Sequence, residues 1–494
     1  MITSVRKIPA ASYDDIFMAA GRLAKLEEKG YVEEEYFFDG TANVYERTAD
    51  GGKDIRFADA PYTSRFLVRK PARKEDFSGN IVIEIDNATP GFDLDRSWIL
   101  TYKEIVRSGD IYIGLLSKPN VLAALNRFDE ARYGSLSWKN PLTYEKSAEE
   151  EGLLRNDPAS ETGLFWDILM DTARLLKSDS ELNPLAEYIR YCKDDKEEAG
   201  TEQVRPETTP PASGKIKTIL MGWSQSGGYM LRYMKDFATQ EGNDCFDGYF
   251  AMGGAGSAVP QLNQEDPRDP AEDLHPYNTD RPFIDMHTES DNAKIGSVNT
   301  RLHDSEFYRI YDIAGPSHDT WYSEEEYYAE DTALKRLGRL MQYRGADPHP
   351  NNFPSQLAFQ AALRYLKDWI REGKAPITVA EMPFDKETLE NIKDADGNSL
   401  SGWRLPEITL PVCAYYGNST AALSPDDTFT PMVYGREEPF PKEEIVRRYE
   451  TLANYRKLVE AEADACIEKG LLLKEDREDC IERAVLKAQK YGLE

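Results

Sequence analysis

The chain has 494 residues, 40% of them hydrophobic and 30% charged, a balance that fits a folded water-soluble protein and argues against a disordered one. Its 60 Lys and Arg against 88 Asp and Glu leave a net charge of −28. A field of that sign repels phosphate backbones and anionic lipid, which argues against nucleic-acid and membrane-surface partners.

No stretch reaches the ~18 consecutive apolar residues of a membrane span, and the opening MITSVRKIPAASYDD lacks the apolar centre of a secretory signal. The five cysteines, Cys192, Cys245, Cys413, Cys466 and Cys480, are spread out and show no CxxC spacing. They suggest neither a disulfide framework nor a zinc site. The acidic runs Glu149–Glu151 and Glu324–Glu326 lack metal-ligand spacing and read as solvated faces. A cytoplasmic protein with no cofactor and no metal is the expectation. Nothing in the sequence indicates an oligomeric state.

In chain order, Ile81–Ile85 reads as a strand, 98–107 as a helix and Ile111–Leu116 as the next strand. A helical spacing follows over 164–176, then an apolar strand over 216–221 and a helix over 229–237. Further strands are expected over 248–251, 282–287 and 307–313. Short, nearly continuous apolar strands alternating with helices predict a mostly parallel, doubly wound α/β sheet covered on both faces.

Two segments read as insertions. Residues 118–160 lie where a lid would sit, and their Phe128, Tyr133, Trp138 and Tyr144 either line a substrate pocket or pack the insertion itself. Residues 178–213, rich in Lys, Asp, Glu and Pro, read as a surface excursion. The C-terminal part, 375–494, is Pro-rich to about 440 and then helical. Its stripes, Ile445-Tyr449-Leu452-Tyr455 and Ile481-Ala484-Val485-Ala488, more often pack on their own protein than on a partner. One folded unit over 1–494 is therefore expected.

The chemistry concentrates in IKTILMGWSQSGGYM over 216–230. An apolar strand meets Gly222-Trp223-Ser224-Gln225-Ser226, and a helix follows, in the form of a nucleophile elbow. Side chains two residues either side of the nucleophile would collide with the neighbouring strand or helix, so Gly222 and Ser226 fit and Ser224 is the candidate nucleophile. At the junction, the positive end of the helix and the Gln225 N–H face a developing oxyanion.

The remaining partners should follow as acid, then histidine. The strand over 282–287 ends in Thr288-Glu289-Ser290-Asp291, and the strand over 307–313 is followed by Gly315-Pro316-Ser317-His318. Of the five histidines, His275, His287, His303, His318 and His349, only His318 combines this position with this order. Asp291 is favoured as the acid over Glu289, because the loop must extend before turning back to His318. The second oxyanion donor should come from the loop after the strand over 81–85, at the backbone N–H of Asn87 or Ala88. Trp223, Trp138 and Trp321 are the expected lining of a substrate pocket.

These passages resemble the microbial group described as α/β hydrolase domain-containing proteins. The resemblance is carried by IVIEIDNATPGFDLD, RYGSLSWKNP, GWSQSGGYMLRYMKDF, CFDGYFAMGGAG, HTESD, RIYDIAGPSHDTWY and GWRLPEITLPVCAYYGN, and it covers nearly the whole chain. It implies an α/β-hydrolase fold, an esterase-like activity, and Ser224, the Glu289/Asp291 pair and His318 at the matching positions. It implies no particular substrate. Gly228 stands where that pattern would place an arginine. The reading is a serine esterase-like hydrolase of a small-molecule ester. The alternatives are an acyltransferase using the same triad and a non-catalytic binding protein on the same fold.

Overall fold

The apolar runs form the middle of a nine-stranded sheet in the computed structural model, which describes residues 1–142, 158–194, 216–240, 242–254, 260–266, 280–292, 295–299, 301–339, 348–419 and 427–494. The strands are β1 (Ile2–Lys7), β2 (Tyr31–Arg47), β3 (Lys53–Pro71), β4 (Asn80–Ile85), β5 (Ile111–Leu115), β6 (Lys217–Trp223), β7 (Gly248–Met252), β8 (Phe283–His287) and β9 (Tyr308–Asp312). Their order is β1-β2-β3-β5-β4-β6-β7-β8-β9. From β5 to β9 the neighbours are parallel. Every residue of β4, β5, β7 and β8 is buried, as strands covered on both faces must be. Helices α1 (Arg96–Ser108), α2 (Phe165–Lys177), α3 (Gln225–Tyr233) and α4 (Ser355–Glu372) belong to those layers. The chain leaves β4 for β5 on one side and takes up β6 on the other. The carboxyl ends of the strands at such a reversal are the usual ligand position of open α/β sheets.

The first third of the sheet was not legible as strands. β1 pairs with β2, β2 with β3 and β3 with β5, all antiparallel, in a long hairpin joined to the parallel part. Its pattern is disguised by buried charge. Glu35 meets Arg65 at 2.5 Å, Glu33 meets Arg69 at 2.7 Å, and Arg69 also reaches Asp95 at 2.7 Å. Pairing lets these groups occupy inward positions that would otherwise demand apolar residues.

In the 118–160 insertion, Phe128, Tyr133 and Trp138 are buried. Phe128 packs edge-on against Phe17, and the Tyr133 hydroxyl donates to Glu35 at 3.0 Å while accepting from the Phe17 N–H at 2.8 Å. Those two rings are packing, not pocket lining. Tyr144 lies outside the described residues. The 178–213 excursion also differs from expectation where it is described. A helix over Ala186–Asp194 buries Tyr188, Ile189 and Cys192, and the Tyr188 hydroxyl donates to Pro71 O at 2.7 Å.

The C-terminal part docks through buried charge. Strands β10 (Cys413–Tyr416) and β11 (Arg436–Pro439) pair beside helices α5 (Leu452–Glu468) and α6 (Arg477–Lys490). Lys487 on α6 is buried with Glu407 at 2.7 Å, Glu437 at 2.8 Å and the Tyr415 hydroxyl at 2.6 Å. Asp476, just before α6, takes both Arg107 amino groups of α1, at 2.7 and 2.8 Å. Among the described residues, no helix is long and apolar enough to cross a membrane.

Candidate active site

Ser224 stands between the end of β6 and the start of α3 with φ +53° and ψ −114°. A non-glycine residue rarely adopts such a backbone, and it persists only where its surroundings hold it. The Ser224 N–H donates to Met252 O at 2.9 Å, and its carbonyl accepts from the Gly228 N–H at 3.1 Å. A Cβ on Gly222 would lie 2.5 Å from Ser226 O, so glycine is required there by close approach. Ser226 adds a clip. Its hydroxyl accepts from the Trp223 N–H at 2.9 Å and donates to Trp223 O at 3.0 Å.

The carboxyl ends of β8 and β9 bring an imidazole and a carboxylate together. His318 Nδ1 lies 2.6 Å from Asp291 Oδ1. Asp291 Oδ2 accepts from the Thr288 N–H and hydroxyl, both at 2.7 Å. The His318 N–H donates to Ser290 Oγ at 2.9 Å. Gly254, at φ +73°, leaves room for this carboxylate, since a Cβ there would sit 2.9 Å from Asp291 Cβ. The Trp223 ring, one residue before Ser224, packs on the His318 ring with centroids 4.9 Å apart. His318 Nε2 has no hydrogen-bond partner among the described residues.

The electrostatics follow from these contacts. Burial alone would lower the His318 pKa, but the charge and hydrogen bond of Asp291 outweigh it and hold the imidazole above its ordinary value. Burial would raise Asp291, yet His318 and the two Thr288 donors keep its carboxyl below the usual range. Each group favours the charged form of the other.

Glu289 is turned elsewhere. Its carboxylate accepts from the Gly315 N–H at 2.9 Å and pairs with Lys393, so it ties the loop that carries His318 to the 393 segment. The oxyanion expectation at Asn87 needs correction. The Asn87 N–H donates to Leu94 O at 2.9 Å in a short antiparallel bridge, which leaves no backbone donor for a ligand. The Asn87 side chain instead ties Trp223 O at 2.9 Å. The Ala88 N–H faces the Gln225 side-chain oxygen at 3.3 Å. Gln225 is the first residue of α3, where the N–H has no carbonyl one turn back to bond.

Of the three tryptophans, Trp223 alone contacts the His318 ring among the contacts described. Trp138 is buried and stacks on Phe165 at 6.5 Å. Trp321 is half-buried past His318, its main-chain N–H on Asn351 O at 2.8 Å. His303 is exposed beside Glu381, and His349 packs on Tyr491. His275 lies outside the described residues. A buried cation went unread from the sequence. Arg96, at the start of α1, pairs with Asp319, the neighbour of His318, and with Glu324 at 2.9 Å, and lies 5.8 Å from the Trp223 ring. The only hint was an arginine inside FDLDR.

A family profile described as an alpha/beta hydrolase domain matches residues 4–191 and 200–482, and the chain belongs to that family. A comparison with curated proteins finds no match. Among solved structures, the chain is similar to a lipase/esterase from Lactobacillus plantarum at 11% identity, over 53% of this chain and 84% of that one, with a TM-score of 0.25. It is similar to the esterase Est22 at 14% identity, over 47% of this chain and 46% of that one, with a TM-score of 0.23. It thus spans about half the length of Est22. At TM-scores this low the likenesses carry no argument.

Proposed function

We propose that this protein is a serine hydrolase that cleaves a carboxylic ester of a small molecule through an acyl-enzyme, and that it works in the cytoplasm. The observation that carries the reading is the 2.6 Å contact of Asp291 with His318 Nδ1, which leaves Nε2 unbonded among the described residues. Five cysteines, none of them in a disulfide, support the compartment.

In this mechanism His318 Nε2 takes the Ser224 proton as Oγ attacks the ester carbonyl. Asp291 holds the proton on Nδ1 and stabilises the imidazolium that forms. The Gln225 N–H and the Ala88 N–H stabilise the tetrahedral oxyanion. Ala88 must first exchange its bond to the Gln225 side chain for one to substrate. His318 then returns the proton to the leaving alcohol. Water, deprotonated by the same nitrogen, releases the acid.

The test is labelling with a fluorophosphonate, alongside hydrolysis of p-nitrophenyl esters of varied acyl length. The adduct is expected on Ser224, and Ser224→Ala should lower kcat by roughly 10⁴–10⁶. An adduct on any other residue would overturn the assignment.

A further inference from the structure

The loop after β5 presents a cation to the nucleophile helix that the mechanism above does not use. Lys118 is 2% exposed. Its Nζ lies 5.8 Å from the centre of the Tyr229 ring on α3. It has no carboxylate, carbonyl or hydroxyl partner among the described residues. A buried lysine is ordinarily paired. The loop that holds it is fixed against the oxyanion loop. Ser117 Oγ donates to Asp86 O at 2.6 Å, and Asn120 Nδ2 reaches Ala88 O at 3.4 Å.

A second donor, on α3 itself, is also without an acceptor among the described residues. Gln225 and Tyr229 are four residues apart, so they share one helix face about one turn from each other. Gln225 Oε1 accepts from the Ala88 N–H and the Thr89 hydroxyl, both at 3.3 Å, which leaves its buried Nε2 with no acceptor. Lys118 Nζ and Gln225 Nε2 can only donate. Lys118 Nζ over the Tyr229 ring and Gln225 Nε2 one turn earlier, both without an acceptor among the described residues, call for an acceptor-rich, negatively charged group.

We infer that this face of α3 is a substrate subsite for a carboxylate, with Lys118 as its principal contact, so that the preferred ester carries a free carboxylate a few carbons from the bond cleaved. The inference rests on Ser224 being the nucleophile, because the subsite is measured from the first turn of α3. Gln225 and Tyr229 start roughly 6 Å apart on α3, so the monoester of a short diacid is the probe of this face. In a chain of net charge −28 an anion is not drawn in by the overall field. Its selection must come from local donors.

The test compares two esters of nearly equal size, mono-p-nitrophenyl glutarate and p-nitrophenyl valerate, and reads the ratio of their kcat/KM values. The wild-type ratio should favour glutarate. Lys118→Met should lower the ratio about 10- to 100-fold, as expected for losing a hydrogen bond to a charged group, and Lys118→Arg should restore much of it. A ratio unchanged by Lys118→Met would overturn the subsite. Thermal unfolding with free glutarate or neutral glutaramide reads binding without turnover. Glutarate should raise Tm in the wild type alone, and equal effects of the two ligands, or equal shifts in the wild type and Lys118→Met, would overturn the subsite. A fluorophosphonate adduct away from Ser224, with the Lys118-dependent Tm shift intact, would sink the hydrolase reading and leave the anion site standing.

Discussion

His287 and His318 each meet an aspartate at the carboxyl end of this sheet, at 2.8 Å and 2.6 Å, yet the two pairs are built for different work. His287 is enclosed on both sides. Its Nε2 faces Asp285, while its Nδ1 lies 3.5 Å from Asp312 and 3.3 Å from an Arg301 amino group. Burial opposes its charge, but two carboxylates outweigh that and push its pKa up to about 9. His318 has one carboxylate, on Nδ1, and its other nitrogen is unbonded among the described residues. An imidazole held at both nitrogens has no free nitrogen for proton exchange, whereas one held at a single nitrogen can accept and return a proton.

The largest expected effect separates the pair directly. His318→Ala should lower kcat/KM on a p-nitrophenyl ester by about 10⁴-fold or more. His287→Gln should leave it within about tenfold, provided circular dichroism confirms the fold. Comparable losses in both variants would break the distinction.

Next come the carboxylates. Asp291→Asn should cost about 10³–10⁴ in kcat, since it loses control of the imidazole tautomer. Glu289→Gln weakens only the tie to Lys393 and Gly315 and should cost about tenfold or less. The reverse order in steady-state kinetics would make Glu289 the acid.

A third contrast lies in pH. The base must be neutral to accept a proton, so a His318 held above its ordinary ~6.5 moves the rise of kcat/KM to higher pH than that value. The stabilities run the other way. His287 has a folded pKa raised above its unfolded one, so its contribution is complete below ~6.5 and is lost as pH climbs through about 9. Thermal unfolding across this window should show Tm falling in the wild type, and less steeply in His287→Gln. Parallel curves would show that His287 is not the titrating group.

The smallest expected effect concerns the oxyanion loop. Asn87→Ala removes the tie to Trp223 O and should lower kcat severalfold to tenfold, since it loosens a support and leaves both proposed donors in place. A loss near the ~10²–10³ of a deleted oxyanion donor would mean that Asn87 contacts substrate itself.

The same contrast explains what could be read from sequence. The elbow was legible because its steric demand leaves small residues at fixed spacing, and Gly222 shows that demand at 2.5 Å. The position of His318 followed from strand order. The choice between Asp291 and Glu289 was open because both lie in one four-residue loop, and a carboxylate's partner is set by a turn, not by composition. The role of Asn87 was misread because its bridge to Leu94 depends on how the chain folds back after Gly91. The β2–β3 hairpin was hidden for a different reason, since its inward Glu33, Glu35, Arg65 and Arg69 look like surface residues until their pairing is seen. Lys118 left no signal at all, because a lysine without a partner looks in sequence like any solvated one.

Activation of Ser224 by His318 on Asp291 can be read from the pH dependence of fluorophosphonate labelling at Ser224 in the wild type, His318→Ala and His287→Gln. The labelling rate should rise through one ionisation above ~6.5 in the wild type and in His287→Gln. In His318→Ala it should be low and flat. A rise that survives His318→Ala, or disappears in a folded His287→Gln, would take the role of base away from His318.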